Sequence, residues 1–259
     1  MLADHQRFAR YPSLADRVVL VTGGGSGIGA SLVEHFCAQR ARVAFVDVNE
    51  AASRELCQTL KDHDLPEPWF LPCDLRDIEA LRAVVTQVVE KLGPIRALVN
   101  NAANDDRHKI AEVTTEYWDE RMTVNLRHQF FASQMVHPHM RDAGGGAIVN
   151  FGSISWMVGM GGMPAYTTAK AAVHGLTRSL ARDFGPDNIR VNTVVPGWVL
   201  TQRQLDLWYD EAGERTIDER QCLKSKLLPP DLARMVLFLC ADDSAMCTSQ
   251  EFIVDGGWV

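Results

Sequence analysis

The sequence predicts an α/β chain: one doubly wound, mostly parallel sheet of seven strands with helices on both faces. Two observations carry that expectation. Short β-branched runs alternate with longer segments of helical period between residues 18 and 254, and such alternation builds a parallel sheet with right-handed crossovers. The first run also feeds straight into a glycine-rich turn and then a helical pattern, the order in which a strand presents backbone N–H groups to a phosphate.

The elements follow in order. Residues 1 to 16 read as a polar arm lying on the body or on a neighbouring subunit. Val18–Val21 is a buried strand that enters Thr22-Gly-Gly-Gly-Ser-Gly-Ile-Gly29, and Leu32, Val33 and Phe36 mark the inner face of the next helix. In that turn Gly23, Ser26, Gly27, Ile28 and Gly29 are positioned for a dinucleotide pyrophosphate, because glycine admits close backbone approach at a helix N-terminus. The second strand, Val43–Val46, ends at Asp47. A carboxylate there accepts from ribose hydroxyls and repels a 2′-phosphate, so NAD is expected over NADP; Val48 and Asn49 bring no compensating cation. Asp47 is also placed to cap the helix that follows.

Trp69–Leu71 is a third strand, and a helix with Ile78, Leu81, Val84, Val85 and Val88 inward runs to Leu92, where Gly93-Pro94 stops it. Ala97–Val99 is the fourth strand, running into Asn100-Asn101-Ala102-Ala103. Val124–Met140 reads as one long helix, Ala147–Phe151 as the fifth strand, Arg190–Val195 as the sixth, residues 230 to 241 as a last helix, and Glu251–Val254 as the seventh strand. Nothing splits the 259 residues into two domains; residues 198 to 228 break the alternation and read as an irregular substrate-binding insertion.

Composition limits the function classes. Hydrophobic content of 46% and charged content of 23% are those of an ordinary globular chain. A net charge of -7 argues against a nucleic-acid or anionic-membrane surface. No apolar run approaches membrane-spanning length. The six cysteines are scattered and read as reduced thiols of a cytoplasmic protein.

Chemistry concentrates between Ser153 and Lys170. Tyr166 and Lys170 are four apart in a helical pattern and share a face. Ser153 follows the fifth strand at its carboxyl end, where open sheets bind ligands. An ammonium beside a phenol stabilises the phenolate, so Lys170 is expected to lower the Tyr166 pKa, and Ser153 to hold the same substrate oxygen. Other clusters carry less. His137-Pro138-His139 lacks the ligand count of a metal site, since proline is expected to end the helix there, and no metal is expected. Cys222 reads as a packed thiol, and Ser153 lacks the glycine elbow of a serine hydrolase.

Over nearly its whole length the chain resembles the short-chain dehydrogenase/reductase family, carried by the glycine turn, Asp74, Asn100–Ala103, Asn125, Ser153, Tyr166-x-x-x-Lys170 and Pro196-Gly197 in that order. The resemblance implies a single-domain Rossmann fold with Tyr166 as base in oxidation. Lys170 would lower its pKa and hold the nicotinamide ribose, and Asn125 would hold a water in a proton relay to Lys170. It further implies that Asp74 and Leu75 contact adenine, that Asn101 and Ala102 join the cofactor wall, and that Pro196, Gly197, Val199 and Thr201 meet the nicotinamide end. Ala103 departs from the glycine many members carry and narrows the site by a methyl. A homotetramer is implied, with the helices of Asn125 and Tyr166 packing on their copies and the C-terminal strand in a second interface.

The flanks of the site mix polar and aromatic residues, which suits a carbohydrate better than a steroid or acyl chain. Asn104, Trp156 and Gln202 join Ser153 and Tyr166 as expected sugar contacts, while Arg107 to Lys109 read as a solvated rim. Within the family the stretches Asn104–Lys109, Tyr117–Arg121, Val124–His128, Asn150–Trp156 and Gln221–Lys224 look similar to bacterial NAD-dependent D-xylose 1-dehydrogenases. The expectation is therefore oxidation of an aldose at C1 to its lactone, with D-xylose first and L-arabinose, D-glucose and L-fucose open. The alternatives are another alcohol dehydrogenase of the family, a 3-oxoacyl-type reductase, or an NAD-binding scaffold without turnover.

Overall fold

In the computed structural model residues 5–259 are described; the first four residues of the expected arm lie outside them. The strands β1 (Val18–Thr22), β2 (Arg42–Asp47), β3 (Trp69–Pro72), β4 (Ala97–Asn100), β5 (Gly146–Phe151), β6 (Ile189–Pro196) and β7 (Glu251–Val254) form one sheet in the order 3-2-1-4-5-6-7. Every pairing is parallel, so the sheet is all-parallel rather than mostly so. The helices are α1 (Gly27–Ala38), α2 (Glu50–Asp62), α3 (Ile78–Leu92), α4 (Thr115–Met122), α5 (His128–Asp142), α6 (Pro164–Phe184), α7 (Gln202–Leu207), α8 (Glu211–Arg220) and α9 (Pro229–Cys240).

Strand residues alternate between two cores, as the period of two requires. Val19, Val21, Val43, Phe45, Ala97 and Val99 face Leu32, Val33 and Phe36 of α1 and Leu232, Val236 and Leu237 of α9. Leu20, Ala44, Val46, Leu98 and Ile148 face α3, α5 and α6 on the other side. Both faces are therefore dry, which explains the near-continuous apolar runs in the sequence. Beneath the site a buried polar chain crosses the centre: Asn100 Nδ2 donates to Asn150 Oδ1 at 2.8 Å, and Asn150 Nδ2 to Thr177 Oγ1 at 2.9 Å. Thr193 Oγ1 donates to the same Thr177 oxygen at 2.7 Å.

Several boundaries differ from expectation for physical reasons. The single helix expected over Val124–Met140 is a π-helical turn (Thr123–Arg127), which continues directly from α4, followed by α5. Pro138 does not end α5, which continues to Asp142. Losing one N–H bond is tolerated because Ala132, Met135, Val136 and Met140 are buried in the core, and His137 stacks on Phe184 while sitting 2.6 Å from Asp187. The insertion at 198 to 228 is not irregular: it contains α7, capped by Thr201, and α8, capped by Asp210. The cap of α2 is Asn49, whose side chain accepts from Ala52 N, so Asp47 is freed from that duty. The arm lies on its own body, with Leu14 fully buried and Arg17 donating to Cys240 O at 2.7 Å. The six cysteines are all unpaired, and among the described residues no helix is long and apolar enough to cross a membrane.

Candidate active site

A cleft of about 700 Å³ opens at the carboxyl ends of the strands, where the sheet order reverses between β1 and β4. Its floor is the glycine turn. A Cβ on Gly29 would stand 1.7 Å from Gly23 O, and one on Gly23, whose φ is +67°, would stand 2.8 Å from Ala102 Cα. The backbone is thus packed too closely for any side chain at these two positions. Ser26 leaves α1 without a side-chain cap, so the first-turn N–H groups and the positive dipole end remain to serve an anion. These features fit a dinucleotide pyrophosphate.

The remaining cofactor-side residues converge on the same cleft: Ile28, Asp47, Asp74, Leu75, Asn101, Ala102, Pro196, Gly197, Val199 and Thr201 all line it, as do Gly23, Ser26, Gly27 and Gly29. Asp47 is held rigidly, with Oδ2 accepting from Gly25 N at 2.8 Å and Oδ1 from Asn49 N at 2.9 Å. Each oxygen keeps a second lone pair for a hydroxyl. Asp74 is paired with Arg76 at 2.6 Å, and that hydrogen-bonded guanidinium holds its carboxyl below the ordinary range. Asn101 works inward: its Nδ2 donates to Thr22 O at 3.0 Å and Gly23 O at 2.9 Å, strapping the glycine turn to the end of β4.

At the other end Ser153, Tyr166 and Lys170 come together as the spacing predicted. Ser153 leaves β5 and hydrogen-bonds Tyr166; its Oγ also accepts from Ser155 N at 3.1 Å. Lys170, 1% exposed, donates from Nζ to Phe151 O at 2.8 Å and lies 5.7 Å from the Tyr166 ring centroid. The electrostatics run against expectation. Burial, and then the charge of Asp105, raises the Tyr166 pKa above its ordinary value, and the Ser153 hydrogen bond offsets only part of this. Burial lowers Lys170 to about 7, against a smaller opposing effect of Asp105. Desolvation of both groups outweighs the mutual help that spacing alone suggested.

Asn125 sits in the π-helical turn, fully buried, and does not line the cleft. Its Oδ1 accepts from Asn104 N at 2.8 Å and its Nδ2 donates to Arg121 O at 3.0 Å. The wider turn lets one side chain pin both the α4 end and the loop after β4.

On the substrate side Asn104 and Gln202 line the cleft and Trp156 does not. The Trp156 indole N–H donates to His174 Nε2 at 3.1 Å. Asn104 Oδ1 accepts from Asp106 N at 2.9 Å, and Gln202 Nε2 donates to Asp206 Oδ1 at 2.7 Å. Asp105, which the sequence offers only as one member of the polar flank and not as a substrate contact, lines the cleft with Arg203 and Gln204. Gln204 Nε2 donates to Asp105 Oδ2 at 2.7 Å and Arg203 Nε to Oδ1 at 3.3 Å. In the sequence Asp105 stands inside a charged run like any solvated rim, and its partners lie 98 and 99 positions away, so no local signal marks it. Trp198 and Trp258 also line the cleft unforeseen. His128 was unforeseen too; it lies behind the cleft, its Nε2–H donating to Ala102 O at 3.1 Å, and burial keeps the ring neutral, its pKa lowered to about 3.

Residues 23–259 match the family model described as Enoyl-(Acyl carrier protein) reductase. The "Probable galactose dehydrogenase GalD" of Rhizobium meliloti (strain 1021) is 53% identical over 96% of this chain and 97% of that protein. A D-xylose 1-dehydrogenase of Caulobacter vibrioides is 50% identical over 96% of this chain and 98% of its own length. Among solved structures, a short-chain type dehydrogenase/reductase from Mycobacterium ulcerans superposes with a TM-score of 0.90 at 26% identity, covering 95% of this chain and 90% of that one. With the glycine turn, the Ser153–Tyr166–Lys170 cluster and the all-parallel sheet in place, the chain belongs to the short-chain dehydrogenase/reductase family.

Proposed function

We propose that the protein oxidises a cyclic aldose at its anomeric carbon to the 1,5-lactone, with NAD as cofactor. The observation that supports a polyhydroxylated substrate most directly is the wall facing Tyr166. There Asp105, Gln204 and Asn104 bring a carboxylate and two amides to the cleft that Tyr166 also lines, with the Asp105 charge felt at the phenol, a surface suited to hydroxyls rather than acyl chains. The two sugar dehydrogenases similar over nearly the full length support the same reading and add galactose to D-xylose, L-arabinose, D-glucose and L-fucose as substrates to compare.

NAD, when bound, supplies the hydride acceptor, held by the glycine turn at its pyrophosphate and by Asp47 at the adenosine ribose. Tyr166 Oη takes the proton of the anomeric hydroxyl. Ser153 holds that oxygen in line with the phenol. Lys170, anchored on Phe151 O, lends its charge to the phenolate in the fraction of molecules that carry it. Asn125 acts at one remove, by fixing the backbone of Asn104. Asp47 favours NAD because a 2′-phosphate would meet a carboxylate, with Val48 beside it offering no cation.

An NADH-release screen across pentoses, hexoses, deoxy sugars, polyols and simple secondary alcohols tests the substrate class. Activity confined to alcohols that are not carbohydrates overturns it. Initial rates with both cofactors test Asp47: equal or higher kcat/KM with NADP refutes that argument and favours a biosynthetic reductase. The protein is further proposed to be a cytoplasmic homotetramer; the partly exposed Phe130 of α5 and Ile253 of β7 are apolar surface that such interfaces would cover, and a monomer mass by light scattering contradicts it.

A further inference from the structure

Away from the cleft, α1 carries a second cluster of donor atoms. Glu34 and His35 lie toward its C-terminal end, and His5 reaches them from the arm; one ligand atom from each residue lies within 4.8 Å of the other two. His5 Nε2 is 2.9 Å from Glu34 Oε1, and the His5 and His35 rings meet edge to face with centroids 4.7 Å apart. None of the three lines the catalytic cleft.

His35 is the informative member. It is 2% exposed. Its Nδ1 lies 2.7 Å from Ser31 O, and a carbonyl can only accept, so the ring proton sits on Nδ1 and the lone pair on Nε2. That Nε2 is buried with no hydrogen-bond partner. An imidazole whose Nδ1–H is tied to a backbone carbonyl and whose Nε2 lone pair is bare is arranged as metal-bound histidines are, with the outer hydrogen bond fixing the tautomer. The nearby Arg234 is a positive charge facing the cluster, but its guanidinium is paired with Asp231 and lies over Phe8.

We propose that His5, Glu34 and His35 bind a zinc-type divalent transition metal, through two imidazoles and one carboxylate with the fourth position left to solvent. That ligand set suits Zn²⁺ or Co²⁺ and not the oxygen-seeking Mg²⁺ or Ca²⁺. The bound ion pins the arm to α1. It takes no part in the chemistry, since His35 stands about 12 Å along the helix from the turn at Gly27.

The test uses the full-length protein without an affinity tag, stripped with chelator and titrated with Zn²⁺ by calorimetry and with Co²⁺ by visible absorption. One equivalent per chain is expected, with tetrahedral cobalt bands, a higher thermal midpoint in Zn²⁺, and slower tryptic cleavage at Arg7 and Arg10. His5→Ala, placed in the arm where the core is untouched, and Glu34→Gln each weaken binding by at least about tenfold and leave dehydrogenase turnover unchanged. His35→Gln abolishes the cobalt bands. No saturable Zn²⁺ binding in the wild type, or binding retained in His5→Ala and Glu34→Gln alike, overturns the assignment.

Discussion

Lys170 offers the sharpest test of the site's electrostatics. Its ammonium is buried, and folding lowers its pKa from 10.5 to about 7. Above about pH 7 the unfolded chain therefore holds a proton that the folded chain has released, so raising the pH favours the folded state through the window up to about 10.5. The penalty for burying the charge is fullest below that window. Replacing Lys170 by Met removes this titration and leaves a constant cost, because Phe151 O loses its donor. Between about pH 7 and about pH 9 the wild type is expected to gain about 2 kcal/mol of stability relative to Lys170→Met. His128, whose pKa Lys170 helps to lower to about 3, titrates below this window, and groups beyond the reach of Lys170 cancel between the two proteins. Tyr166 acts with the opposite sign only above about pH 10, where the unfolded chain would lose a phenolic proton that the folded one keeps. Urea midpoints for both proteins across this range are the assay. A difference that stays flat refutes a buried lysine near neutrality, and with it the claim that desolvation governs this pair.

Three further outcomes are expected. Tyr166→Phe should retain NAD binding by fluorescence titration and lose turnover by at least about 100-fold; wild-type rates would dismiss the phenol as the base. Gly29→Ala should abolish NAD binding or unfold the turn, since a Cβ 1.7 Å from Gly23 O cannot be absorbed without moving backbone, at a cost of about 3 kcal/mol or more; unchanged affinity would show that the turn does not approach the pyrophosphate. Trp156→Phe should cost about 1 kcal/mol of stability through the lost bond to His174 while sugar KM stays within about twofold. A larger rise in KM would return the indole to the substrate wall.

The sheet and the cofactor half of the site were legible because each depends on local pattern. A β-branched run followed by glycines states both a strand and the close approach that follows it, and Gly23 and Gly29 are where the chain cannot carry a side chain. Tyr166 and Lys170 were legible because one helical turn fixes their relation. What escaped depends on contacts far apart in the chain. Asp105 becomes part of the wall only through Gln204, and Trp156 leaves the cleft only through His174. The helices α7 and α8 escaped because their sequences are polar and short, with caps as their main local signal. The sign of the Tyr166 shift escaped for another reason: spacing reports neighbours, whereas burial sets how much solvent each charge has lost.

The amide and hydroxyl chain under the site has an evolutionary consequence. Asn100 pairs in register with Asn150, and Asn150 with Thr193, while Thr177 takes hydrogen bonds from both Asn150 and Thr193. Changing any one to an apolar residue strands the polar groups of the others in a dry interior, a cost of about 1–3 kcal/mol for each. These four positions are therefore expected to be exchanged together. A lineage drifting toward new sugars can rewrite the paired Asp105 and Gln204 of the wall, where solvent is at hand to replace a lost partner, but the dry foundation beneath Ser153 and Tyr166 can change only as a block.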